Sequence, residues 1–100
     1  MSRTEDSFQV VLLETVEKTL LDVLGEKVTS ALRFYVDLKT AVRNPDRFTA
    51  LIAEIVGPTQ SDSLRKRVLE VLYEKFGLVY QPSGAKFSEE IASLKSRLSR

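Results

Sequence analysis

The 100-residue sequence contains no histidine and no cysteine. Histidine is the only side chain whose unperturbed pKa lies near neutrality, and cysteine supplies the thiolate nucleophile and the soft metal ligand. Their absence excludes Ser-His-Asp and Cys-His chemistry, imidazole or thiolate zinc sites, haem held by histidine, and iron–sulfur clusters. Disulfides are excluded too, a composition in keeping with the cytoplasm. Glycine is scarce: Gly25, Gly57, Gly77 and Gly84 stand singly, so no glycine-rich phosphate loop exists. No unbroken apolar run exceeds four residues, as at Val10 to Leu13, far below the roughly 20 that a membrane span needs. The polar opening Met1 to Ser7 carries no secretory pattern. A single Asn (Asn44) and a single Met leave few thermolabile side chains, which leans toward a warm habitat.

What is present is ordinary for a soluble domain, with 43% apolar and 29% charged residues. A chain this long forms one domain and buries roughly 60–65% of its unfolded surface, enough for a core without staples. The net charge of +1 gives no overall field for nucleic acid. Residues 1–58 hold seven Lys/Arg against nine Asp/Glu, and residues 59–100 hold eight against five. So mild an asymmetry is what a solvated helical surface produces.

Helical periodicity recurs along the chain. Over 7–24, Leu12, Val16, Leu20, Val23 and Leu24 share one face opposite Glu14, Lys18 and Asp22. Ser7 reads as the N-cap, and Gly25 as a left-handed C-terminal closure. A second helix is expected over 26–42, with Val28, Ala31, Leu32, Tyr35, Leu38 and Val42 inward. Phe34 and Ala41 widen that face, as a central helix touching two neighbours would require; the alternative is that Phe34 is an exposed contact for a partner. Asn44-Pro45-Asp46 opens a third helix with cap, proline and acid in order, and Phe48, Leu51, Ile52 and Ile55 form its stripe. Gly57-Pro58 ends it. A fourth helix begins near Ser61, carries Leu64, Val68, Leu69, Val71, Leu72 and Phe76, and closes at Gly77 with Leu78 packing back in a Schellman ending. Residues 79–86 contain Pro82, Ser83 and Gly84 and read as a linker. Ser88 caps a last helix with Glu89 and Glu90 in its first turn.

Two groups of residues are candidate sites. Phe87, Ile91, Leu94 and Leu98 form a narrow seam at heptad-like spacing, suited to folding back on the bundle or to meeting a second copy. Arg65-Lys66-Arg67, with Lys95, Arg97 and Arg100, could assemble a basic surface for phosphates. Consecutive helical residues point about 100° apart, however, and Arg65 leans toward the apolar side, where its stem could pack. Carboxylates such as Glu70 and Glu74 lack a companion donor set for a metal and read as a solvated face. No catalytic, cofactor-binding or metal-ligating residue is expected.

From Leu24 to Leu78 the order of signals resembles the archaeal Nitrosopumilus output domain family. The matching features are Leu24-Gly25, the stretch Ala31-Leu32-Arg33-Phe34-Tyr35, and Asn44-Pro45-Asp46-Arg47-Phe48. Leu51, Ile55 and Gly57 continue the pattern, and Leu72-Tyr73-Glu74-Lys75-Phe76-Gly77-Leu78 closes it. The link between the second and third helices is shorter here, and Tyr35 stands where the family commonly has His, so no role of that His carries over. The resemblance implies an all-α domain in an archaeon, occurring alone or attached to signalling and regulatory proteins, with no catalytic residue and no cofactor.

The expectation is therefore an all-α fold: a compact four-helix bundle over 1–78, a linker over 79–86, and an amphipathic C-terminal helix over 87–100. Its function is expected to be non-enzymatic, an interaction module in archaeal regulation with a protein partner and possible homodimerisation. The alternative is a nucleic-acid binder using the basic surface.

Overall fold

The computed structural model describes residues 3–98, with side chains from Ser7 onward. It is all-α, and among the described residues there is no strand. The elements are α1 (Arg3–Tyr35), α2 (Thr40–Arg43), α3 (Pro45–Val56), α4 (Pro58–Lys75) and α5 (Phe87–Leu98). Helix α3 packs against α2, α4 and α5, and α4 packs against α1, α3 and α5. No described helix is long and apolar enough to cross a membrane.

Helix α1 starts upstream of Ser7, so Ser7 is an exposed residue inside the helix and not its cap. It consists of two arms, 3–24 and 26–35, joined at Gly25 (φ 85°, ψ 167°). That ψ lies outside the left-handed helical region expected of a helix closure, in a mirror-extended region that L side chains avoid. Gly57, between α3 and α4, does the same (φ 97°, ψ 156°). A Cβ at either position would touch nothing, so the demand for glycine is torsional. Pro58 follows Gly57 as the first residue of α4, where its missing N–H costs nothing. The fourth helix thus begins three residues before the expected Ser61. By contrast, α4 closes as the sequence suggests. Leu78 N–H donates to the Tyr73 carbonyl (3.0 Å) and Gly77 N–H to that of Glu74 (3.0 Å).

The core runs through every helix but is narrower than the sequence pattern implies. Phe8, Leu12, Val16 and Leu20 form the buried stripe of the first arm, with Val23 and Leu24 only half-buried. Thr15 and Thr19 are also buried there, because each hydroxyl donates back to the preceding turn: Val11 O (2.7 Å) and Thr15 O (2.6 Å). In α3, Phe48 and Ile52 are buried, Leu51 is half-buried, and Ile55 is exposed. In α4, Leu64, Val68, Leu69, Leu72 and Tyr73 are buried, while Val71 and Phe76 are half-buried. The 76–86 segment is not a loose tether. Phe76, Leu78 and Tyr80 pack on the core, and the Tyr80 ring lies 5.3 Å from that of Tyr73.

The expected second helix is corrected most. It ends at Tyr35, and Val36–Lys39 turns the chain into short α2. Thr29, Leu32, Val36, Leu38 and Ala41 are the buried residues. Val28, Ala31, Phe34 and Tyr35, expected inward or at the margin, lie on the solvent side. Ending the helix at Tyr35 releases the downstream residues from its phase, so Leu38 and Ala41 need not share a face with Val28 and Tyr35.

Helix α5 docks on its own chain through α3 and α4. Its start is not capped by Ser88, which lies in its first turn. Glu89 instead reaches back to the Lys86 N–H (3.0 Å), half of a capping box. The Ser88 N–H and hydroxyl donate to the Asp46 carboxylate of α3 (3.0 and 2.6 Å). The Ser88 hydroxyl first, then its N–H, hold the Asp46 carboxyl below the ordinary 3.8. A depressed carboxyl contributes stability above its unfolded pKa and loses it as pH falls through the folded value. Asp46→Asn is therefore expected to cost about 1 kcal/mol at neutral pH, as loss of charge-assisted hydrogen bonds does. That difference from wild type should shrink as pH drops below 3.8. Urea titrations at neutral and acid pH check this, and a gap independent of pH would refute it.

Candidate interaction surface

The predicted sites land in different places. Phe87 (3% exposed), Ile91 (7%) and Leu94 (0%) are part of the core, and Leu98 is half-buried against it. The seam is thus occupied by the chain's own α3 and α4.

The predicted basic patch does not form one surface. Arg65 turns inward, its Nη1 donating to Oε1 of Glu90 at 2.8 Å, and Glu90 is only 4% exposed. Its Nη2 donates to Asp62 at 3.3 Å, and Lys66 pairs with the same carboxylate at 3.6 Å. Burial disfavours the Arg65 charge, but the Glu90 and then the Asp62 hydrogen bonds outweigh it, so its pKa is raised. Arg67 lines a hollow with Glu70 and Glu74. Arg97 lines another with Glu89 and Glu90, and Lys95 lines a third. Arg100 lies outside the described residues.

Near the Arg65–Glu90 pair, the Tyr80 hydroxyl is buried and makes no hydrogen bond among the described residues. Burial above all, and the nearby Glu90 carboxylate, push it up to about 12. Among the described residues no group of three or more carboxylates could hold a metal ion.

The surface that stands open lies on α1. Among the described residues seven large apolar side chains are notably exposed, and five belong to this helix: Val10, Leu21, Val28, Phe34 (88%) and Tyr35 (77%). Two adjoining hollows run beside it. One, of about 530 Å³, is lined by Leu13, Glu17 and the segment Arg33–Lys39, with Phe34 and Tyr35 at its side. The other, of about 600 Å³, is lined by Gln9, Val10, Leu13, Lys39, Val42, Arg43 and Lys95. They share Leu13 and Lys39 and so adjoin, set among α1, the 36–39 turn, α2 and, at Lys95, α5. The turn is held by the Asp37 side chain, which accepts from Lys39 N–H at 3.0 Å. This is an Asx-type turn, a local signal present in the sequence that helical periodicity overrode. Of the exposed apolar side chains, Phe34 and Tyr35 are adjacent and line the same hollow, the kind of exposed apolar pair that marks a contact surface.

The chain matches no known protein family, no curated protein and no solved structure. The resemblance drawn from its helix punctuation rests on the residues quoted for it.

Proposed function

We propose that this protein is a non-catalytic helical interaction module that binds another protein through the exposed face of α1 and the hollows beside it. The observation that carries this reading is the outward placement of Phe34 and Tyr35 beside apolar hollows. Aromatic side chains are the residue type that contributes most per position to protein contacts. The missing histidine and cysteine support a non-enzymatic role. The regulatory and archaeal setting comes from the family resemblance alone. Homodimerisation, if it occurs, would use this face, because the α5 seam is spent in the core.

A random-peptide library displayed on phage and selected against the full chain tests the reading. Enriched peptides are expected to bind wild type and to lose about tenfold or more in affinity with Phe34→Ser and Tyr35→Ser, as hot-spot positions do. Failure to enrich any peptide, or peptides indifferent to both substitutions, would sink the proposal. Sedimentation equilibrium of wild type and Phe34→Ser shows whether a second copy is the partner.

A further inference from the structure

From the chemistry of the larger hollow we infer that the partner's docking segment is an acidic amphipathic helix. The inference rests on the interaction reading above and adds the partner's charge and shape. Its apolar lining is Val10, Leu13 and Val42, and its cations are Lys39, Arg43 and Lys95, the last already engaged in a contact of its own. No carboxylate lines this hollow among the described residues. Neither Lys39 nor Arg43 makes an ion pair among the described residues, although the chain as a whole is nearly neutral. Glu17 and Asp37 line the adjoining hollow together with Arg33.

Cations beside an apolar lining match a ligand with the inverse pattern: an apolar stripe flanked by carboxylates. Helical geometry follows from the wall. Val10 and Leu13 sit at i and i+3, neighbouring positions on one side of the first arm of α1. A second helix laid beside that side meets it with side chains at its own three- and four-residue spacing. Phosphates of a nucleic acid would satisfy the cations but leave Val10, Leu13 and Val42 unfilled, so the apolar lining favours a peptide.

The test uses the full chain and a synthetic peptide of about 14 residues, four helical turns, with leucines at i, i+3 and i+7 and glutamates on both flanks. A second peptide keeps the leucines and replaces every glutamate with lysine. Fluorescence anisotropy should show the glutamate peptide binding about tenfold or more tightly than the lysine peptide, the advantage falling as salt rises. The double variant K39E/R43E, both exposed positions, should reverse that preference, and Leu13→Asp should weaken both peptides. Unchanged far-UV circular dichroism and melting of the variants keep folding out of the comparison. Equal binding of the two peptides, or glutamate-peptide binding indifferent to K39E/R43E, would overturn the inference. So would duplex DNA binding, or self-association, that K39E/R43E abolishes. If neither peptide binds while the phage selection enriches others that depend on Phe34, the acidic partner fails and the interaction reading stands. If the selection also yields nothing, both fail.

Discussion

Phe48→Ala is expected to remove about 3–5 kcal/mol of folding stability, the usual cost of emptying a fully enclosed aromatic site. Phe48 is 1% exposed and sits in the first half of α3, the helix that packs on α2, α4 and α5. Such a cavity is bordered by elements that cannot all close on it, so little of the lost contact is recovered. Native domains are stable by only about 5–15 kcal/mol in total, so the variant loses much of its margin. Urea titration followed by circular dichroism measures the shift. Ile55→Ala on the same helix, at an exposed position, should stay within about 0.5 kcal/mol. Similar losses at the two positions would show that the buried face of α3 is wrongly identified.

Arg65→Ala is expected to cost about 3 kcal/mol, because it strands the Glu90 carboxylate in the protein interior without its guanidinium. Glu90 is 4% exposed and its 2.8 Å contact with Arg65 ties α5 to α4. Asp62, the outer partner, is half exposed, and Asp62→Ala should change stability by at most about 0.5 kcal/mol. The double replacement Arg65→Met with Glu90→Met should recover most of the loss, since paired apolar substitutes leave no uncompensated charge. A thermodynamic cycle over the two positions reads the coupling directly. A loss under about half a kcal/mol for Arg65→Ala would show that the pair is solvated.

Helix punctuation was legible where its signals are local and unambiguous, and misread at Ser7, Tyr35, Ser61 and Ser88. Asn44-Pro45 opens α3 with the Asn44 side chain accepting from Arg47 N–H (3.2 Å), and Gly77 closes α4, both as their residue types demand. The exposed face of α1 was legible only as the alternative reading of Phe34, for a physical reason. Periodicity reports which residues share a face but not whether a neighbour arrives to cover it. Val28, Ala31 and Tyr35 do share a face, yet the buried residues of that arm are Thr29 and Leu32. The two long-range ties were hidden for the same reason: Asp46 with Ser88, and Arg65 with Glu90, join residues 42 and 25 positions apart. Arg65 gave a partial signal through its position on the apolar side of α4, but nothing local named Glu90 as its partner. The Tyr35 ending was signalled by Asp37 and the turn it forms, a cue that a run of apolar residues on both sides outweighed.

The one-residue joints at Gly25 and Gly57 make the chain a clockwork of phases. With no loop between α3 and α4, each residue added or removed at the joint turns everything downstream by about 100° around the helix axis. One inserted residue after Gly57 would swing Leu64, Val68 and Leu72 out of the core and bring charged positions in. The 76–86 stretch, irregular along its length, can take up the same insertion without rotating α5. The spacing across the Gly57 joint, from Phe48 through Leu72, is therefore as strongly constrained as the side chains themselves, whereas the 36–39 turn and the 76–86 stretch are the breaks in helical phase.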